Sequence, residues 1–424
     1  MISQSYRSLI VLTVLAFAAT ATAETQSPAS QPASQPQTKA KAKATTAKTE
    51  VAKTKRPAES THSAAKLPPN SPVGQRAEEE GPEHRDLQTR LELIRRGSFS
   101  LHMGGMIQVQ SAFYAGDQAA VTNGDPADTE GFRIRRARFG FGGDLLPHFS
   151  YYLAVDLKDT VVSAMGGDTG SELLDATIGW HRFSFAQLTV GVDKVPFSTL
   201  AMESSARLTM VERPLTVGLI APDRRVGATI FGDVGALNYW VGVYNGSDGL
   251  TSGNRMAGIS LAARVQMHLL GTPTRFVPRE FRIAVAGGYM YENGSAVDTH
   301  RASGSLELRG FRVKLMGEFL WEQSEPDAEP VGLADSGKVS RWSAVGQASA
   351  FLWRSYVQVA FRYEYFRDNV DLPTFGEQQL LTAGVNAYLC KNRLKLQVNY
   401  IRRDELEGPE VANDIAFAQL QATF

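Results

Sequence analysis

The sequence predicts an all-β fold, a transmembrane antiparallel β-barrel of about 16 strands whose third external loop folds inward. Three observations carry that prediction. Apolar residues recur with a period of two from Ser98 almost to Phe424. The alternating stretches run roughly nine to twelve residues, where a soluble sandwich strand has about five or six. The breaks between them are short and long by turns, as in barrels with tight periplasmic turns and longer outer loops. A closed barrel is the strand architecture that satisfies every backbone amide in lipid.

What precedes the alternation is a chain of a different kind. Arg7, the apolar run Leu9 to Ala19 and the ending Ala21-Thr22-Ala23 make residues 1–23 a secretory signal peptide. At roughly a dozen residues that run is short for a spanning helix, which takes about 20. Residues 24–84 are mainly Ala, Thr, Ser, Pro, Gln and Lys, with almost no large apolar side chain. Ordering them would bury too little surface to offset the entropy lost, so a disordered periplasmic segment is expected. Its Lys39, Lys41, Lys43, Lys48, Lys53 and Lys55 make it a polycation suited to acidic cell-wall polymer, and a solvated spacer is the simpler reading of the same composition. Leu87, Leu91 and Ile94 stand at helical spacing and predict one short helix over 85–97, ahead of the barrel domain, 98–424.

Within the barrel domain two faces separate. Leu394, Leu396, Val398 and Tyr400 alternate with Lys395, Gln397 and Asn399, and Val357, Val359, Phe361, Tyr363 and Tyr365 are set apart from Gln358, Arg362 and Glu364 in the same way. The apolar face meets lipid and the polar face lines the lumen. With Phe139 and Phe141 toward lipid, Arg136 and Arg138 look into the lumen, and the same parity places Lys158, Arg264, Lys314, Arg362 and Lys395 there. Lys194 shares the face of Val190 and Val192 and falls on the lipid side, at the end of its strand. The closing stretch, Ile415 to Phe424, ends on an aromatic residue, as outer-membrane barrels do for their assembly machinery.

One long interruption breaks the pattern. Strand-like alternation stops at Pro196, about thirty residues pass without it, and it resumes at Val226, an excursion of the length that is usually functional. The stretch from Val190 to Gly227 carries Arg207, Arg213, Arg224 and Arg225 against Glu203, Glu212 and Asp223. Folded into a lumen it would form the constriction. Rings of Arg or Lys are how pores select anions, and the guanidinium fork suits phosphate and carboxylate.

Composition excludes several other classes. A single Cys390 rules out a disulfide framework and a cysteine-based metal cluster. A net charge of zero gives no global basic field for nucleic acid. No catalytic dyad, metal site or cofactor motif is visible: His102, His148, His181 and His268 fall toward periplasmic ends, and only His300 lies near the outer rim, where a surface hydrolase would need its base.

A family resemblance then becomes specific. Gly131-Phe-Arg-Ile-Arg-Arg-Ala-Arg-Phe-Gly-Phe-Gly-Gly143 with Leu146 to Tyr151 and Val155-Asp156 resembles the early hairpin of the phosphate-selective porin O and P family. Val190 to Phe197, Glu203 to Ser205, Met210 to Pro214 and Ala221 to Gly227 resemble it as well. The resemblance covers roughly Ser98 to Phe424 and implies a homotrimeric, anion-permeable outer-membrane channel of a Gram-negative bacterium, with phosphate or polyphosphate as candidate cargo. The resemblance implies a third loop lined with arginines, Arg207, Arg213, Arg224 and Arg225, and keeps Lys194 at the end of its strand; with Arg136, Arg138 and Lys158 from parity these make up the expected anion pathway. Outer-membrane lipid would surround the barrel.

Two features set the limits of that reading. From Ser98 onward 30 Lys and Arg stand against 35 Asp and Glu, many of them in outer loops, for example Glu325, Asp327, Glu329, Asp404, Glu405, Glu407 and Glu410. An acidic vestibule repels phosphate at low ionic strength, and no continuous arginine ladder can be traced down one wall. The wall cations would also pair with Asp156, Asp193, Glu307, Glu318 and Glu364 and stiffen the barrel. The alternative is therefore a structural or weakly selective general barrel with a plugged pore or an acidic vestibule.

Overall fold

Strands that are apolar on one side only must bury the other side, and here they do so by closing on themselves. The structure, a computed structural model, describes residues 91–114, 130–157, 172–246, 258–271, 276–294, 297–326, 338–368, 376–407 and 411–424, all within the unit Lys66–Phe424. The expected signal peptide, the lysine-rich segment and Lys158 lie outside the described residues.

The strands are β1 (Leu91–Arg96), β2 (Phe99–Tyr114), β3 (Gly131–Leu146), β4 (Phe149–Asp156), β5 (Glu172–Phe183) and β6 (Ala186–Lys194). After two short helices, α1 (Thr199–Met202) and α2 (Leu215–Ile220), come β7 (Arg224–Val234), β8 (Leu237–Asn245), β9 (Ile259–Leu270), β10 (Arg282–Asn293), β11 (Val297–Gly310) and β12 (Val313–Pro326). The chain finishes with β13 (Val339–Trp353), β14 (Val357–Asp368), β15 (Gln378–Cys390), β16 (Leu394–Glu405) and β17 (Ile415–Thr423). Each strand from β2 to β17 pairs antiparallel with the next, and β17 closes on β2 with Gln419 opposite Gln110. The seam ends where Phe424 and Gly105 exchange backbone hydrogen bonds of 3.0 Å. Sixteen strands thus form a closed antiparallel barrel. An unpaired amide in lipid costs several kcal/mol, about 4–8 by water-to-hydrocarbon transfer.

The faces are those of a membrane barrel. On β16, Leu396, Val398 and Tyr400 are exposed while Lys395, Gln397 and Asn399 are buried. Tight turns fall at His148, Gly235, Phe311–Arg312, Arg354 and Lys391, each with a positive φ that reverses the chain in a few residues. Among the described residues no helix is long and apolar enough to cross a membrane.

Two expectations are corrected. Residues 91–96 form strand β1 rather than part of a helix. β17 ends with Thr423 opposite Met106, which leaves Phe99–Met103 of β2 without a partner on that side. β1 turns back through Gly97 (φ 61) and supplies it, with a bulge between Glu92 and Ile94. The ladder it gains outweighs the weak preference of a short helix that buries one narrow stripe.

The second correction concerns parity near Lys194. Val190 is 48% exposed on the lipid side, yet Val192 is 5% exposed, and between them Gly191 takes φ +134. That conformation, open to glycine, breaks the alternation and turns the strand end inward. A Cβ at Gly191 would fall on the carbonyl oxygen of Ala176. Gly191→Ala is accordingly expected to lower the yield of heat-modifiable barrel, read as the fraction that shifts on boiling in gel electrophoresis; a wild-type yield would show that the kink is dispensable.

Candidate functional site

The segment 195–223 between β6 and β7 has too little regular structure to satisfy its own backbone, so the inner wall does it. Ser198 caps α1 by accepting from the Ala201 amide at 3.1 Å. Glu318 of β12 accepts from the Thr199 amide at 2.6 Å, the Leu200 amide at 3.0 Å and the Ser198 hydroxyl at 3.0 Å. α2 begins at Pro214 with no side-chain cap of its own, and Glu364 of β14 accepts from the amide and hydroxyl of Thr216, both at 3.1 Å. Helices of one turn are not stable alone, and a carboxylate at each N-terminus supplies what they lack.

Between the helices the chain is bound to β14 and its neighbours β15–β17. The Leu208 carbonyl accepts from Lys395 Nζ at 2.9 Å, the Thr209 carbonyl from Asn386 at 2.7 Å, and the Ala206 carbonyl from Gln421 at 2.9 Å. The Val211 amide donates to Asn399 at 2.6 Å, and Arg362 donates to the Glu212 carbonyl at 2.9 Å. Apolar contacts add to these bonds. Val195, Phe197, Leu200, Val217 and Ile220 join Tyr244, Met290, Leu320 and Phe366 in one buried cluster, and Val211 joins Ala112, Leu380 and Phe417 in another. The segment thus touches β2, β8, β10, β12 and β14–β17 on their non-lipid faces.

The charged groups converge at two places. On β3 the register slips by one residue between Gln108 and Val109, so that Arg136 faces Gln108 while Ile134 faces Val109. The bulged residue is Arg135, and the slip puts Arg133, Arg135, Arg136 and Arg138 all on the inner face. Arg135 donates to Glu212 at 2.6 and 3.2 Å, Arg136 donates to Glu212 at 3.2 Å and to Gln108 at 2.7 Å, and Arg133 donates to Gln110 at 2.6 Å. Arg138 donates to Asp156 at 2.9 Å and to the Ser205 hydroxyl at 3.0 Å. Burial alone would raise the Glu212 pKa, but Arg136 and Arg135 outweigh it and hold the carboxyl well below the usual carboxylate range.

The second place is the root of the segment. Lys194 donates to the carbonyls of Met202 and Glu203 at 3.3 and 3.2 Å, and Arg213 donates to the same Glu203 carbonyl. Arg224 stands opposite Lys194 and donates to Asp175 at 2.9 Å. Arg225 forms a bidentate pair with Glu292 at 2.8 and 2.9 Å, and the chain of ion pairs continues from Glu292 to Arg301 and Glu322. Arg224 and Arg225 are therefore the first residues of β7 and not part of the loop, because their pairing with β6 begins the ladder two residues before the alternation becomes visible. Arg207 is partly buried, with its amide donating to Ser204.

The structure thus gathers Arg136 and Arg138 around Glu212 and Ser205, and Lys194, Arg213 and Arg224 around the segment's root. Arg133 and Arg135 are the inner-face residues that parity missed. The signal was present: Phe132 and Ile134 demand one parity, Phe139 and Phe141 the other, and one extra residue reconciles them. Several rim acids are paired, Glu325 with Lys338 at 2.6 Å, Asp404 with Arg402 at 2.9 Å and Glu405 with Arg403 at 3.4 Å. Among the described residues no three His, Cys, Asp or Glu side chains converge as a metal site.

Residues 107–272 match the model of the family described as phosphate-selective porin O and P. No curated protein matches the chain. Among solved structures, the barrel is similar to the outer membrane channel DcaP of Acinetobacter baumannii, at 10% identity and a TM-score of 0.54 over 79% of this chain and 100% of that one. It is also similar to an anion-selective porin from Comamonas acidovorans, at 14% identity and a TM-score of 0.51 over 77% and 99%. A third is OmpT of Vibrio cholerae in a trimer form, at 9% identity and a TM-score of 0.52 over 76% and 99%. At such identities the structures speak to the fold alone.

Proposed function

We propose that this outer-membrane porin of a Gram-negative bacterium, a passive channel rather than an enzyme by its family match and barrel, conducts small anions past an arginine-lined constriction, phosphate and polyphosphate among them. The observation that carries the proposal is the bulge at Arg135. It turns four guanidiniums of one strand toward the inner face, where Arg135 and Arg136 meet Glu212 and Arg138 meets Ser205 of the segment 195–223. A fixed cation in a low-dielectric passage acts more strongly than one in the vestibule, and guanidinium donors replace part of the water an anion sheds. Lys194, Arg207, Arg213, Arg224 and Arg225 extend the pathway along the root of the segment, and Lys158 belongs to it by parity.

A homotrimer in outer-membrane lipid is supported by the exposed apolar belt and by the trimeric OmpT structure. The lysine-rich segment is proposed to contact cell wall through Lys39, Lys41, Lys43, Lys48, Lys53 and Lys55. The alternative, a structural barrel with a plugged lumen, draws on the apolar cluster that joins the segment to β8, β10 and β12.

Arg133→Gln with Arg135→Gln keeps hydrogen-bonding groups beside Gln110 and Glu212 while removing two charges. The expected result is a severalfold fall in chloride over potassium permeability, from reversal potentials in planar bilayers. An unchanged ratio would rule out the arginines of β3 as the selecting charges.

A further inference from the structure

The inner wall is not covered evenly by the segment, and the uncovered part has a chemistry of its own. Arg362, Asn386 and Gln397, which face inward on β14–β16, are buried and hydrogen-bonded to it. On β6–β8 the inward-facing Gln187, Thr189, Thr229, Phe231 and Trp240 keep part of their surface. Their orientation follows from their neighbours, because Ile230, Val241 and Val265 are 52%, 55% and 51% exposed on the lipid side.

Gln187, Phe231, Trp240 and Arg264 form one cross-strand row, each directly opposite the next. The Arg264 guanidinium carbon lies 4.9 Å from the centroid of the Trp240 ring, which fixes the indole against the wall. Arg264 also donates to the Thr199 hydroxyl at 3.0 Å. That bond brings the Arg264 end of the row beside α1.

Resting on the anion-channel reading, we propose that Phe231 and Trp240 form an apolar sliding face on the inner wall next to Arg264, which selects organic anions that carry a ring or flat apolar body over small hydrated ones. Aromatic faces reward a flat solute by dispersion and loss of apolar hydration. A compact oxyanion gains nothing from them. A carboxylate on a ring would have its charge met by the cations of the segment's root while its ring passes the aromatic pair.

The test compares benzoate with acetate, which share a carboxylate and differ in the ring, as blockers of chloride current through the full-length protein in planar bilayers. Reversal potentials are recorded on the same channels. The wild type is expected to be half-blocked by benzoate at a concentration at least about fivefold below that for acetate. Phe231→Leu with Trp240→Leu should abolish that difference and leave the acetate value and the reversal potential unchanged. Trp240→Phe, which keeps a ring in the row, should retain most of it and guards against a folding defect in the double variant. Equal block by benzoate and acetate in the wild type, or a benzoate preference that survives in the double variant, overturns the proposal. A cation-selective reversal potential with benzoate still favoured overturns the anion reading on which it rests and leaves the aromatic face standing as a contact for flat solutes.

Discussion

Glu212→Ala is expected to change the channel more than any other single substitution in the lumen. The carboxylate accepts from Arg135, Arg136 and Gln110, and it sits in the stretch of segment that is bound to the wall. Removing it leaves buried guanidiniums without that partner, which costs about 3–5 kcal/mol when a buried pair is broken. The lumen also gains one net positive charge. Two readouts should move together: chloride over potassium permeability rises, and single-channel records show new transitions as residues 203–213 come off the wall. Glu212→Gln should reproduce the rise in permeability ratio with fewer transitions. The pH dependence has a definite sign. A carboxyl whose folded-state pKa is depressed contributes stability that is fully present above its ordinary value of about 4.3 and is lost only as pH falls through the lower folded value. The wild-type segment should therefore stay in place, without added transitions, from neutral pH down to about pH 4.3; new transitions above that would show that Glu212 is not the anchor.

How much of this was legible in the chain depends on range. The barrel was, because membrane strands report themselves locally: the lipid face of β14 or β16 is apolar at every second residue whatever the rest of the molecule does. The direction of Arg136 and Arg138 was legible for the same reason. Parity failed where one residue resets it, at the Arg135 bulge and at Gly191. The first leaves a trace in the conflict between Ile134 and Phe139. The second leaves only a glycine before a polar pair. The strand at Leu91–Arg96 could not be read from its own sequence, since it exists because β17 stops short of the start of β2. The partners of the segment were equally hidden. Glu318 and Glu364 read as wall acids facing wall cations, and nothing near them in sequence says that each caps a helical turn more than a hundred residues away.

Those two carboxylates give the second large effect. Glu318→Ala with Glu364→Ala removes the acceptors of the Thr199, Leu200 and Thr216 amides, and with them the N-terminal anchors of α1 and α2. Caps of this kind are worth about 0.5–2 kcal/mol each, and the buried amides they leave unsatisfied cost about 1–3 kcal/mol more apiece. The strand ladder does not involve them, so the double variant should still give a heat-modifiable barrel. Its single-channel conductance should rise severalfold as the segment leaves the lumen, and its ion preference should weaken. Wild-type conductance in a folded variant would mean that the apolar cluster around Phe197, Leu200 and Ile220 holds the segment without help.

The reversal potential of the wild-type channel in an about tenfold gradient of potassium chloride, at low ionic strength where fixed charges reach furthest, tests the central claim most directly. If the inward arginines of β3 and the root of the segment govern permeation, the potential takes the sign of chloride and falls toward zero as salt is raised. If the excess of acidic residues in the barrel domain governs instead, it takes the sign of potassium, and the account of an arginine-lined anion pathway is wrong.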